Sequence, residues 1–160
     1  METFPVVTLP DPRLRQRSRE LTVEEILTPE FQLYLDELAA TMLVSHGVGI
    51  ASPQVGKNIR AIVINVADKD EWFINPEIIK TSDAMVESEE GCLSVPGEWG
   101  IVNRHKKVTF QALTRHGRRV QGEAKGMQAI VLQHEIDHLD GILFIDKAIR
   151  MLKKTAKTHL

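Results

Sequence analysis

The 160-residue sequence predicts an α+β fold, with mostly antiparallel strands packed around a central buried helix and further helices toward the N- and C-termini. Three observations carry that expectation. Short apolar runs bounded by turn residues recur between residues 61 and 124. The segment from Thr28 to Met42 carries an apolar stripe at helical spacing, and the segment from Gly126 to Leu139 is apolar around most of a helix's circumference.

In chain order, Thr28 is placed to cap the first helix, Pro29 suits its first position and Glu30 favours its positive end. Phe31, Leu35, Leu38 and Met42 form the core-facing stripe, and Gly47 is a stop. "GVGIASPQVG" (47–56) follows, a turn-rich segment with three glycines and a proline. "AIVINV" (61–66) reads as a buried strand and "WFINPEII" (72–79) as a second, interrupted by Pro76. "KVTFQAL" and "RRVQGEA" flank "TRHG" (114–117) as a hairpin. The buried helix runs from about Gly126 to Leu139, with Gly141 closing it, and a basic amphipathic helix is expected from about Asp146 to the end. With no repeat, low-complexity tract or Gly/Ser-rich linker, residues 1–160 are expected to form one domain.

The bulk numbers narrow the function classes. A content of 42% hydrophobic and 26% charged residues is ordinary for a soluble globular protein. A net charge of −2 argues against a nucleic-acid footprint over the whole surface and leaves room for a local basic patch. No stretch reaches the length of a membrane span or a signal-peptide core. The single cysteine, Cys92, cannot form an internal disulfide, which points to a reducing cytoplasm.

The buried helix also holds His134, Glu135 and His138 within "QHEIDHLDG" (133–141). Polar and ionisable groups in an apolar interior need partners, and a bound cation supplies one. Residues four apart share a helix face, so the two histidines can address one ion while Glu135 reaches a water beside it. By itself the spacing leaves a zinc peptidase, another metal-assisted hydrolase and a chance match all open. A hydrolytic site needs a third protein ligand. Downstream, only Asp140, Asp146 and His159 are available, none at a peptidase spacing. Upstream, "EGCLSVP" (90–96) offers Cys92 between Gly91 and Pro96, and a thiolate with two imidazoles is a competent set.

"GVGIASPQVG", "EGCLSVP" and "QHEIDH" stand in the order of the three signature segments of the bacterial peptide deformylases, and the sequence resembles that family over most of its length, including "LPDPRLR" (9–15) and "DHLDGILFID". The resemblance implies removal of the formyl group from N-formylmethionine at the start of new polypeptides. It implies Cys92, His134 and His138 on one divalent ion, Fe2+ natively with Zn2+ or Ni2+ able to replace it. It also implies Glu135 as general base and then acid, with the Gln54 side chain and the Leu93 backbone N–H as oxyanion donors. Val48, Gly49, Met127, Ile130 and Val131 would receive the methionine and the peptide backbone, and Glu90 would pair with Arg104 behind the metal ligands. A basic C-terminal helix would dock on the ribosome, with no membrane and no sequence-specific nucleic acid as partner. Ser52 stands where the family usually has Ala. Trp99 stands where many members have Arg, and would alter substrate handling if it lined the pocket mouth. A metallopeptidase and a catalytically inactive, metal-stabilised ribosome-binding module are the competing readings.

Overall fold

The computed structural model describes residues 1–153. A short helix, α1 (Val23–Ile26), is closed by a reciprocal capping box between Thr22 and Glu25 and leads into α2 (Pro29–Val44). The Thr28 hydroxyl accepts from the Phe31 N–H as expected of an N-cap, and Phe31, Leu35, Leu38 and Met42 are all buried. Past the end of α2, the Gly47 N–H donates to the Met42 carbonyl.

The turn-rich segment holds more order than its composition suggests. It contains β1 (Gly49–Ala51) followed by a 3-10 turn over Ser52–Val55, closed by Gly56 at φ +83°. Strands β2 (Ala61–Asn65), β3 (Asp70–Thr81), β6 (Lys107–Leu113) and β7 (Arg119–Lys125) complete a five-stranded antiparallel sheet in the order β1-β2-β3-β6-β7. The predicted interruption at Pro76 is real: Asn75 has φ +50° and the β3–β6 register shifts between Ile74 and Glu77. The hairpin around Thr114–Gly117 forms as read, with Lys107 opposite Lys125.

A second, three-stranded sheet consists of β4 (Met85–Cys92), β5 (Val95–His105) and β8 (Ala148–Leu152), in the order β4-β5-β8. Between the sheets lies α3 (Gly126–Leu139), the helix expected to be central, with ten of its residues buried and Gly141 at φ +74° just beyond it. β2 is covered on both faces. Ile62 and Ile64 pack toward α3 while Ala61 and Val63 pack toward α2, which is why it reads as a continuous apolar run rather than an alternation.

The C-terminal helix is a correction. Phe144–Lys147 form a four-residue helix, α4, and the chain then turns into β8, whose Met151 pairs with Gly100 and whose Arg150 pairs with Ile101. The other edge of β5 carries unpaired backbone groups that a strand satisfies and a helix does not, so sheet pairing overrides the helical pattern of the side chains. Residues 154–160, the rest of the expected helix, lie outside the described residues, as does His159.

Candidate metal centre

The two sheets and α3 converge on one point. Cys92, the last residue of β4, is held by its pairing with Val95 across the two-residue turn Leu93–Ser94. His134 and His138 stand one turn apart on α3, their rings 5.1 Å between centroids and nearly perpendicular. Ligand atoms of these three fully buried residues lie within 4.8 Å of one another, and they are the one such group of three or more among the described residues. Cys92 Sγ is 3.3 Å from His138 Nε2.

The donor set fits a divalent cation. His134 Nδ1 lies 2.8 Å from Glu90 Oε1, which commits that nitrogen as donor and leaves Nε2 as the lone-pair atom. Among the described residues, His134 Nε2 has no hydrogen-bond partner, and neither has either oxygen of the buried Glu135 carboxylate. Such orphaned buried atoms are costly unless they serve a ligand or a reaction. Until a cation binds, the surrounding charges favour a proton at the place it would take. Burial works against charge on His134, but Cys92, Glu90 and Glu135 outweigh it and hold the ring up at about 10. Burial and the neighbouring His134 charge instead drive His138 well below its usual value. The pocket thus favours one positive charge among its ligands, not two.

Behind the ligands runs a ladder of alternating charges. Arg104, on β5 and 2% exposed, donates from Nε and Nη2 to the two oxygens of Glu90 at 2.9 and 2.8 Å. Its Nη1 donates to Asp137 at 2.7 Å, and Lys147 donates to the other Asp137 oxygen at 3.1 Å. Burial alone raises Glu90, yet the hydrogen bonds and charges of Arg104 and His134 prevail and hold it at about 2. The predicted Glu90–Arg104 pair is therefore a buried, bidentate one rather than an exposed contact. Asp137 and Lys147 were not singled out from the sequence, although an Asp three residues after His134 on a buried helix signals a need for a cation.

Glu135 projects toward β1. Burial first, and the Glu90 charge next, raise its carboxyl, with His134 opposing, to about 7. A Cβ built on Gly49 would stand 2.5 Å from Glu135 Oε1 and 2.9 Å from a Val131 methyl, so only glycine leaves room for the carboxylate against that strand. Gln54, fully buried in the 3-10 turn, accepts from the Ala51 N–H with Oε1. Its Nε2 donates to Ser94 Oγ at 3.2 Å and approaches Cys92 Sγ at 3.5 Å. Gln54, Cys92 and Ser94 thus adjoin one another.

The remaining expected residues are placed less uniformly. Val48 and Ile130 are half-buried beside the core between α3 and the large sheet, Val131 is fully buried within it, and Met127 is more than half exposed on the first turn of α3. Leu93 is half-buried, its Cδ1 3.2 Å from the Cβ position of Gly47. Trp99 does not sit at an open mouth. It is 3% exposed, pairs with Leu152, and lays its ring 2.9 Å from the Cβ position of Gly91. Asp140 bonds Arg60 and Asp146 bonds Arg15, so both rejected ligand candidates are occupied in ion pairs.

A buried Cys-His-His set with an adjacent carboxylate and an amide donor defines a metal-dependent hydrolase, and among the described residues its third ligand candidate is a cysteine rather than a carboxylate or histidine. Residues 3–154 match the family model for polypeptide deformylase, and the chain belongs to that family. A peptide deformylase of Carboxydothermus hydrogenoformans is 44% identical over 154 residues, covering 96% of this chain and 99% of its own. One from Syntrophomonas wolfei is 46% identical over 149 residues, with 93% and 95% covered. The crystal structure from Thermotoga maritima superposes with a TM-score of 0.90 at 33% identity, covering 94% and 100%. That of the Acinetobacter baumannii class I type b enzyme bound to Met-Ala-Ser gives 0.87 at 34%, covering 91% and 98%. The chain is accordingly a hydrolase of protein biosynthesis that removes the formyl group from N-formylmethionyl polypeptides through a metal-binding active site.

Proposed function

We propose that the residues around the triad divide the deformylation as follows. Cys92 Sγ with one nitrogen each of His134 and His138 holds a single divalent ion, natively Fe2+, with Zn2+ or Ni2+ able to take its place because thiolate and imidazole suit several such ions. When bound, that ion supplies the Lewis acidity that makes water deprotonable near neutral pH. Glu135 takes the proton of the water that attacks the formyl carbon and returns it to the departing amine as the C–N bond breaks, releasing formate. Burial raises this carboxyl above its ordinary range, which favours its holding a proton between the two transfers. Gln54 Nε2 and the Leu93 N–H donate to the oxyanion that develops on the formyl oxygen.

The observation that carries this assignment is the Glu135 carboxylate, buried beside the triad with both oxygens unpartnered among the described residues. Met-Ala-Ser, bound to the Acinetobacter baumannii relative, has the form of a deformylated chain start, and its counterpart here would lie along Gly49, with its methionine among Val48, Met127, Ile130 and Val131. The edge position of β1 supports pairing with an extended peptide there. The decisive assay offers formyl-Met-Ala-Ser and Met-Ala-Ser to protein metallated without oxygen and measures formate and cleaved peptide separately. Formate alone is expected. Glu135→Ala should keep its metal and lose at least about 10²-fold in turnover; full activity would remove the role given to Glu135.

Residues 1–160 act as one catalytic unit in the bacterial cytoplasm, and the basic segment beginning at Lys147 contacts the ribosome. Because β8 belongs to the small sheet, the informative truncation ends at Lys153. Reduced salt-sensitive ribosome affinity with unchanged peptide turnover is expected, and unchanged affinity would exclude a part for Lys154 and Lys157 in docking.

A further inference from the structure

Ser52 opens the 3-10 turn that carries Gln54, and it is fully buried. Its hydroxyl has one proton and uses it on the Ala61 carbonyl of β2 at 3.0 Å. It therefore accepts from the Tyr34 hydroxyl of α2, 2.8 Å away. The direction is reinforced at Tyr34, where burial pushes the phenol up beyond its usual value, with Ser52 only partly opposing, so that it remains a donor. The Tyr34 ring is itself fixed, tilted against Phe4 and Phe31 and carrying the Lys57 ammonium 4.4 Å from its centroid. One hydroxyl thus ties the turn to a helix on one side and to a central strand on the other. Two residues on, Gln54 fixes itself with Oε1 on the Ala51 N–H and aims Nε2 at Ser94 and Cys92.

We propose that Ser52, braced by Tyr34, is a positioning residue that holds the Gln54 amide in place for the reaction. The inference rests on the reading of Gln54 as an oxyanion donor. It also gives a use to the hydroxyl at a position where the sequence resemblance alone suggested none. A donor serves catalysis through its aim rather than through ground-state affinity, so loosening it lowers kcat and leaves KM almost unchanged.

The test uses the metal-loaded protein with formyl-Met-Ala-Ser and four variants: Ser52→Ala, Tyr34→Phe, their combination, and Gln54→Ala. Gln54→Ala should lower kcat by about 10²-fold. Ser52→Ala should lower it about tenfold with KM within about twofold, and should speed hydrogen exchange of the Ala51 amide, which the Gln54 side chain protects. Tyr34→Phe should give a smaller kcat loss, because Ser52 keeps its bond to Ala61. The combined variant strands no phenol, so its thermal stability should recover while kcat stays low and Ala51 exchange stays fast. Recovery of kcat in the combined variant would mean that Ser52 only satisfies a buried hydroxyl and would overturn the proposal. Unchanged kcat in Ser52→Ala beside a deficient Gln54→Ala would overturn it too, while leaving Gln54 its role. An active Gln54→Ala would instead remove the oxyanion reading, and this inference with it. Should Ser52→Ala fail to fold, the combined variant carries the same kcat and exchange readings.

Discussion

Gly49 illustrates how one missing side chain shapes the site. The carboxylate of Glu135 occupies the space that a Cβ would take, and Val131 closes the other side. Gly49→Ala must displace the carboxylate or the strand, and a displacement near 1 Å is enough to cost about 10²-fold in rate. We expect kcat to fall by at least about tenfold with metal content unchanged, because Gly49 touches no ligand; metal analysis beside formate release checks both. An active Gly49→Ala enzyme would mean that Glu135 works from another rotamer. The three candidate ligands were legible in the sequence as histidines four apart on a buried helix and one cysteine at a Gly- and Pro-bounded turn, whereas Gln54, Leu93, Glu90 and Arg104 came only with the family resemblance. The consequence of Trp99 was not legible, since its burial depends on β8 lying beside it.

At the scale of elements, the β4–β5 hairpin and α3 are joined by Arg104. The guanidinium serves two buried carboxylates on different elements, so Arg104→Ala leaves Glu90 with only His134 and Asp137 with only Lys147 as charged partners. Removing one partner from such a group commonly costs about 3–5 kcal/mol, and we expect a loss of that size in denaturant unfolding together with weaker metal retention. The pH dependence carries a second signature. Glu90 sits near 4.5 in the unfolded chain and at about 2 in the folded one. Its depressed value contributes stability that is complete above about 4.5 and is lost as the pH falls toward 2. Without Arg104 that loss should begin at higher pH, and coincident acid-unfolding profiles for the two proteins would contradict the pairing. This hairpin was the least readable element: "MVESEEGC" has too many glutamates for a strand judged by apolar pattern, and its face toward α3 is polar because it supports the ligands.

For the molecule as a whole, the large sheet with its two flanking helices reads from local pattern, since caps, stripes and turn residues agree. The small sheet does not, because β8 joins it from residues 148–152, far along the chain from β4, and local propensity is silent about such pairings. Among the described residues, the apolar cluster of the small sheet holds five buried residues, Cys92 among them, against thirteen in the cluster around α3. The two layers meet at the triad, where the sulfur belongs to one and both imidazoles to the other. An ion clasped there is a rivet through the seam. Stripping it with a chelator should lower the melting temperature and, in hydrogen exchange, release the β4–β5–β8 amides ahead of those in β2. Equal release across both sheets would show that the seam holds without its rivet. A cation held there would fasten the thinner half of the protein as well as serve the reaction, so a molecule that lost it would loosen at the same place where it stops working.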